Sequence, residues 1–148
     1  MRIALGADHA GVALKEDVKR QLAQRGVAFT DFGTDSTESV DYPDYAAKVA
    51  HEVASGAYDR GILFCGSGIG MAIAANKVPG VRAAQAHDVY SAQRARKSND
   101  AQVLTMGARV IGPEAAKTIV AAWLESEFDG GGSTRKVAKI ADLERRLG

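Results

Sequence analysis

Short apolar runs alternate with stretches of helical periodicity along the chain. Five runs have the length and composition of strands, and they cover residues 2–7, 27–32, 61–64, 81–86 and 103–106. Between the first two, Leu14, Val18 and Leu22 recur at helical spacing in a segment that Gly26 ends. Repeated alternation of strand and helix predicts a five-stranded parallel sheet with helices on both faces, which is a doubly wound, Rossmann-like three-layer α/β sandwich.

Helical segments account for most of the remaining chain, and they are predicted at residues 11–25, 41–56, 70–76, 88–96, 113–125 and 134–147. The last helix follows a glycine run at 130–132 and carries Val137, Ile140 and Leu143 as a modest apolar stripe. Such a stripe packs either on its own domain or on a partner subunit. No internal repeat, low-complexity tract or linker divides the sequence, so we expect one domain over residues 1–148.

Composition and charge exclude several classes of function. Of the 148 residues, 25% are charged and 46% are apolar, and the formal net charge is +1. This balance shows no bias toward nucleic acid or an anionic membrane, and the apolar runs are far too short to span a bilayer. The single cysteine forms neither an internal disulfide nor a cysteine-based zinc site, and the amino terminus carries no secretory pattern. We therefore expect a reducing, cytoplasmic location.

The candidate chemistry lies where the strands end, because ligands bind at the carboxyl ends of strands in open parallel sheets. The loops at those ends contain Asp8 and His9, residues 65–68, His87 and Asp88, and residues 107–109. His9 lies at the carboxyl end of a strand, where a histidine is better placed to bind a ligand than to pack in the core. Asp8 either caps the following helix, orients the His9 ring or receives a substrate hydroxyl. The three histidines have no metal-binding spacing, so we expect no metal and no other cofactor.

A glycine-rich turn follows the third strand directly. Gly66, Gly68 and Gly70 precede a short helix, so backbone N–H groups can point into one cavity near its positive end. The spacing matches neither the dinucleotide-binding fingerprint nor a Walker A loop, and Ser67 does not sit in a nucleophile elbow. The turn is therefore either an anion or oxyanion site, or a tight turn whose glycines only permit close packing.

Cys65 ends the strand that leads into this turn. Most lone cysteines are small, inert hydrophobic residues. A thiol beside a helix N-terminus is different, because the helix stabilises the thiolate and makes the sulfur reactive. The residues alone leave both interpretations open.

Five stretches together resemble the ribose-5-phosphate isomerase B family, which includes the galactose-6-phosphate isomerase subunits. They are GADHAG at 6–11, DYPDYA at 41–46, CGSGIGMAIAANK at 65–77, ND at 99–100 and GARVIG at 107–112. The resemblance covers nearly the whole chain, and the motifs are specific in combination although each alone is weak. It implies a metal-free aldose–ketose isomerase of sugars or sugar phosphates that works as a homodimer, or as a tetramer, with active sites shared between subunits.

The resemblance also implies roles for individual residues. Cys65 matches the base that takes a proton from C2 of the sugar and returns it to C1 through a cis-enediolate. Ser67 and the amides of the glycine turn match the groups that stabilise the oxyanion. Positions that line the sugar or phosphate end are matched by Asp8, His9 and Tyr42, and positions contributed by the partner subunit are matched by Asn99 and Arg109.

Two departures from the family pattern bear on the substrate. The family usually has His-Asn where this chain has Ser98-Asn99, and that histidine is credited with opening the furanose ring. Near the carboxyl end, Gly132 and Ser133 replace an Arg-His pair, and Lys136 replaces a later arginine. Lysine offers a point charge where arginine offers a bidentate fork, so we expect weaker affinity for phosphate.

These departures leave several hypotheses for the substrate. If it is ribose 5-phosphate, then Ser98, a water molecule or His87 opens the ring, and the phosphate is held by His9, Arg109, Arg135 and Lys136. An acyclic substrate is the second hypothesis, because the hydroxyl that would close a furanose ring in D-erythrose 4-phosphate is esterified. A sugar without phosphate is the third. A non-catalytic sugar-phosphate binding module is the alternative from another class.

Overall fold

The computed structural model describes residues 1–148 and has the predicted three-layer architecture. The strands are β1 (Arg2–Ala7), β2 (Ala28–Asp31), β3 (Arg60–Cys65), β4 (Ala83–Gln85) and β5 (Val103–Gly107). The helices are α1 (Val12–Gln24), α2 (Tyr42–Ala54), α3 (Ile69–Ala75), α4 (Val89–Lys97), α5 (Pro113–Leu124) and α6 (Gly132–Leu147). All strand pairs are parallel and the spatial order is β2-β1-β3-β5-β4. The chain reverses its direction of winding between β1 and β3, which is where ligands bind in folds of this kind.

Each face of the sheet is covered by its own apolar layer. On one face, the predicted stripe of α1 packs with Trp123 of α5 against β1, β3 and β5, and Leu14, Val18 and Leu22 are all buried. On the other face, α2 and α3 supply Val49 and Met71 among the buried side chains. Every residue of β3 is buried, which explains its continuous apolar run.

The observed strands and helices differ from the predicted ones mainly at their ends. β2 and β4 are shorter than expected, and both lie at an edge of the sheet, where a strand has only one neighbour to pair with. α6 begins at Gly132 and not at residue 134. None of the helices has the length and apolar character needed to cross a membrane.

A buried lysine that the helical pattern did not reveal ties the loop after β2 to the rest of the molecule. Lys15 has 0% of its surface exposed, and its Nζ donates to Asp31 Oδ1 and to the Thr34 carbonyl, both at 2.6 Å. Burial by itself would raise the pKa of Asp31, but hydrogen bonds from Lys15 and Lys19 hold that pKa below its ordinary value. Thr34 N–H in turn donates to the carbonyl of Ala7 at 2.8 Å, so this loop is fixed beside the carboxyl end of β1.

α6 lies outside the core. None of its residues is buried, and Ile140, Leu143 and Leu147 are exposed. A backbone turn at Gly130 and Gly131, both with positive φ, separates it from the sheet domain. Near its end, Glu144 accepts a hydrogen bond from the Gly80 N–H at 2.8 Å. Glu144 therefore ties the helix to its own chain, while Ile140 and Leu147 line an open cleft of about 780 Å³ between the helix and the sheet domain.

Candidate active site

A pocket of about 560 Å³ opens at the carboxyl ends of β1 and β3. Its polar lining includes Asp8, Tyr42, Cys65, Ser67 and Arg109, and its apolar rim is formed by Ile69, Ile73 and Val110. A groove of about 640 Å³ between α4 and α5 contains none of the predicted site residues. The pocket at the strand ends is therefore the candidate active site.

Cys65 ends β3 at the base of this pocket. Its side chain is 4% exposed, and its Sγ accepts a hydrogen bond from the Gly68 N–H at 3.1 Å. Gly68 is the N-cap of α3 and has φ of +80°, a left-handed conformation that glycine adopts without strain, and its N–H points at the sulfur. A hydrogen bond from a backbone amide stabilises a thiolate more than a thiol. The geometry thus favours the reactive interpretation of Cys65 over the inert one.

The turn after Cys65 presents free hydrogen-bond donors. The backbone N–H groups of Gly66 and Ser67 donate to no acceptor within the chain. Ser67 Oγ accepts from the Ile69 N–H at 3.2 Å, which leaves the hydroxyl proton available as a donor. Arg109 lies beside the turn, since a Cβ on Gly66 would be 3.2 Å from its Nη1. Two free amides, a hydroxyl and a guanidinium at one pocket favour an anion or oxyanion site over a turn that only permits packing.

Tyr42 closes the pocket from the side of α2. A Cβ on Gly70 would lie 2.4 Å from Tyr42 Cε1, so the ring packs directly on the backbone of the turn. Gly70 is therefore required for the close approach of this ring. Tyr42 remains 40% exposed, and its hydroxyphenyl group is one wall of the opening.

Asp8 and His9 occupy the neighbouring strand end. Asp8 Oδ1 accepts from the N–H groups of Ala10 and Gly11 at 3.0 and 3.1 Å, so this carboxylate caps the turn before α1. Its Oδ2 has no partner within the chain, and Asp8 lines the pocket. His9 Nδ1 accepts from the Val40 N–H at 3.1 Å, which places the proton of the neutral ring on Nε2.

Arg109 lines the pocket from the same chain as Cys65. This differs from the expectation that a partner subunit contributes Arg109. The reason is that β5 pairs with β3 and Gly107 is in register with Cys65. Arg109, two residues after Gly107, therefore lies at the same edge of the sheet as Cys65. The Arg109 N–H also donates to the Gly66 carbonyl at 3.0 Å, which fixes the two segments together.

His9 lies next to Asp8 but does not line the pocket, and four further predicted site residues lie away from it. Asn99 lines a separate depression beside Asn76 and Ala83. Ser98 caps the end of α4, and its Oγ accepts from Arg94 through Nε at 2.8 Å and also through Nη2. The other two, on the exposed surface of α6, are Arg135 and Lys136.

Two residues on or after β4 support the glycine turn from behind, and sequence reasoning assigned neither of them this role. His87 Nε2 accepts from the Gly107 N–H at 2.8 Å, and burial lowers the pKa of His87 below its ordinary value although the Asp88 carboxylate opposes this effect. Gln85 donates to the carbonyl of Ser67 at 2.7 Å. No local pattern marks these contacts, because they join residues about twenty positions apart through the sheet.

Comparison with known proteins agrees with this geometry. The profile of the Ribose/Galactose Isomerase family matches residues 3–140. The D-erythrulose-4-phosphate isomerase of Pectobacterium atrosepticum is 56% identical over 99% of this chain and 97% of the relative. A ribose-5-P isomerase B of Listeria innocua is 53% identical over 99% of both chains. The solved ribose-5-phosphate isomerase B of Clostridium thermocellum superposes with a TM-score of 0.99 at 48% identity, covering 100% of both chains.

These relatives cover essentially the whole sequence, including the pocket residues and α6. The fold and the isomerase class predicted from the motifs are thereby confirmed. The absence of a metal or another cofactor stays a prediction. The chain belongs to the ribose/galactose isomerase family and is an aldose–ketose isomerase of sugar phosphates.

Proposed function

We propose that Cys65 is the base of this isomerase and that it carries a proton between C2 and C1 of the substrate. The observation that supports this is the hydrogen bond from Gly68 N–H to Cys65 Sγ, 3.1 Å long, since Cys65 lines the pocket at the strand ends. The thiolate takes the proton from C2 of the open-chain aldose, and the electron pair of that C–H bond forms the C1–C2 double bond of an enediolate. The electron pair of the C1 carbonyl moves onto its oxygen. The same thiol then returns the proton to C1, the proton of the C2 hydroxyl passes to the C1 oxygen, and the carbonyl forms at C2.

The negative charge that develops on the substrate oxygen needs donors already in place. The amides of Gly66 and Ser67 and the hydroxyl proton of Ser67 supply them, because none of these donors is used within the chain. Gly68 and Gly70 complete the turn that positions these donors. Asp8 is proposed to accept a substrate hydroxyl through Oδ2.

We propose that the distal phosphate contacts Arg109 and His9 of one chain and residues of a second copy. Asn99, Arg135 and Lys136 lie outside the pocket of their own chain, and α6 leaves Ile140, Leu143 and Leu147 exposed. Both observations support a homodimer in which each copy completes the other's site, and sedimentation of the purified protein tests it. A cytoplasmic location is proposed because the catalytic thiol must stay reduced.

Replacement of Cys65 tests the base. Cys65→Ala is expected to lower kcat by about 10²-fold or more, since proton transfer by a positioned group contributes roughly that factor or more. Iodoacetamide should inactivate the wild-type enzyme and label one site, and bound sugar phosphate should protect it. Turnover that survives Cys65→Ala for every sugar phosphate would show that another group is the base.

Ribose 5-phosphate and its ketose are the first substrates to test, because relatives of 53% and 48% identity are named for them. D-Erythrulose 4-phosphate is a second candidate, and the contacts of Ser98 favour it. A hydroxyl oxygen has two acceptor positions, and Arg94 uses both of those on Ser98. These contacts make Ser98 a poor base for ring opening, whereas an acyclic tetrose phosphate needs no such base.

Side-by-side kinetics decide between these substrates. We expect kcat/KM for D-erythrose 4-phosphate to exceed that for ribose 5-phosphate if ring opening is impaired. Ser98→His should then raise kcat/KM for ribose 5-phosphate and leave the tetrose phosphate almost unchanged. A preference of more than about tenfold for ribose 5-phosphate by the wild-type enzyme, equal to about 1.4 kcal/mol, would exclude the acyclic substrate as the main one. Free sugars complete the series as the unphosphorylated control.

A further inference from the structure

We propose that Gln85 is a positioning residue that holds the peptide group between Ser67 and Gly68 so that its N–H points at Cys65 Sγ. Gln85 ends β4, the edge strand, and its Nε2 donates to the Ser67 carbonyl at 2.7 Å. The other end of the same peptide group is the Gly68 N–H, which donates to Cys65 Sγ at 3.1 Å. One peptide group thus connects an exposed glutamine to a buried sulfur.

The connection follows from the rigidity of the peptide bond. The carbonyl and the N–H of one trans peptide lie in a plane and point in opposite directions, so fixing the first fixes the second. A hydrogen bond accepted by the carbonyl also polarises the N–H and strengthens the bond that this group donates. Gln85 therefore acts on the sulfur without touching it.

Gln85 is the one hydrogen-bond donor to the Ser67 carbonyl, whereas the carbonyls of the neighbouring residues accept from groups outside β4. The carbonyls of Cys65 and Gly66 accept from the backbone N–H groups of Ala108 and Arg109. The carbonyl of Gly68 accepts from Thr105 Oγ1 at 2.8 Å and from a backbone amide of α3. Within the chain, the Ser67 carbonyl accepts a hydrogen bond only from Gln85.

The consequence for catalysis rests on the proposed role of Cys65 as the base. Without Gln85, the Ser67–Gly68 peptide loses the one hydrogen bond that holds its carbonyl, and we expect the N–H to sulfur contact to lengthen. The thiolate is then less stabilised, and a smaller fraction of the enzyme carries the active base at neutral pH. The loss should appear in kcat at neutral pH, with little change in KM, and should diminish at alkaline pH.

Gln85→Met tests this inference, because methionine keeps the length of the side chain and removes the donor. The readout is the rate of iodoacetamide labelling of Cys65, the single cysteine, as a function of pH. The pH of half-maximal rate should rise by about half a unit to one unit, which corresponds to the net value of one hydrogen bond. Gln85→Glu should produce a larger rise, because an ionised carboxylate neither donates to the carbonyl nor favours a nearby anion.

Gln102→Met is the matched control. Gln102 also joins two backbone groups near the edge of the sheet, donating to the Gly80 carbonyl at 2.9 Å and accepting from the Arg82 N–H at 2.8 Å. Its loss should lower the unfolding midpoint and leave the labelling profile unchanged. A Gln85→Met profile that superposes on the wild-type profile overturns the inference. The labelling experiment stays informative if Cys65→Ala retains turnover, because it measures the thiolate and not the reaction.

Discussion

Gly68→Ala perturbs the turn at the point where its geometry is least tolerant. Gly68 has φ of +80°, and a Cβ there would lie 2.9 Å from the backbone carbon of Met106. A side chain in the left-handed region costs about 1–2 kcal/mol, partly offset by about 0.4–1 kcal/mol from the stiffer unfolded chain. The contact with Met106 adds about 1–3 kcal/mol, because a backbone atom of a central strand has no free space to move into. The expected loss of stability is therefore about 1–5 kcal/mol, centred near about 3 kcal/mol.

Gly56→Ala separates the dihedral cost from the steric one. Gly56 has φ of +82°, almost the same as Gly68, and a Cβ there would meet nothing within 4 Å. We expect this variant to lose about 1 kcal/mol and to keep full activity. Urea unfolding at one fixed protein concentration measures the stability of both variants.

Activity completes the test of Gly68. The turn must shift to relieve the contact with Met106, and the shift lengthens the hydrogen bond from Gly68 N–H to Cys65. We expect kcat to fall by roughly tenfold or more, the equivalent of about 1.4 kcal/mol of lost transition-state stabilisation. Equal stability losses for the two glycine variants, together with normal kcat in Gly68→Ala, would refute this reasoning.

Three further perturbations test the fold and the site. Lys15→Met removes the buried partner of Asp31 and is expected to lower the free energy of unfolding by about 3 kcal/mol, measured in urea; a loss below about 1 kcal/mol would contradict the buried ion pair. The fold holds the pKa of His87 below its ordinary 6.5, so the stability it contributes is present above pH 6.5 and is lost as pH falls through the folded-state value. His87→Gln should therefore lose less stability than the wild type between about pH 7.5 and about pH 5.5, whereas equal losses would argue against this coupling. Arg109→Lys should raise KM for the sugar phosphate roughly tenfold with little change in kcat, since a point charge replaces a bidentate fork. Steady-state kinetics measure both constants. A lower kcat with an unchanged KM would show that Arg109 acts only in the transition state.

The arrangement of strands and helices was predictable because each carries a local signal. The stripe of Leu14, Val18 and Leu22 marks α1 through its spacing alone, and the apolar run of β3 marks a central strand. The location of the site followed from the same pattern, since the polar residues after β1 and β3 must meet at one edge of a parallel sheet. Asp8 and Cys65 do meet there.

Contacts that depend on which strands lie side by side in the sheet were not predictable from local sequence patterns. Lys15 follows Leu14 on α1 and has the sequence surroundings of an exposed residue, yet it is buried because β2 brings Asp31 beside it. Gln85 carries no signal for the same reason, since its partner is a carbonyl that only the strand order brings close. The place of Arg109 on the pocket of its own chain depends on β5 pairing with β3, which motif spacing does not reveal.

The surface position of α6 has a consequence for how such an enzyme changes over generations. A helix with no buried residue can accept substitutions without disturbing the packing of the sheet. Replacements such as Gly132 and Ser133 at its start therefore carry almost no penalty in folding. Cys65, in contrast, ends a fully buried strand, so selection for stability and selection for chemistry act on the same few positions. On the proposed role of Arg135 and Lys136, substitutions on α6 change the affinity for one end of the substrate, so the sugar can change while the reaction stays the same.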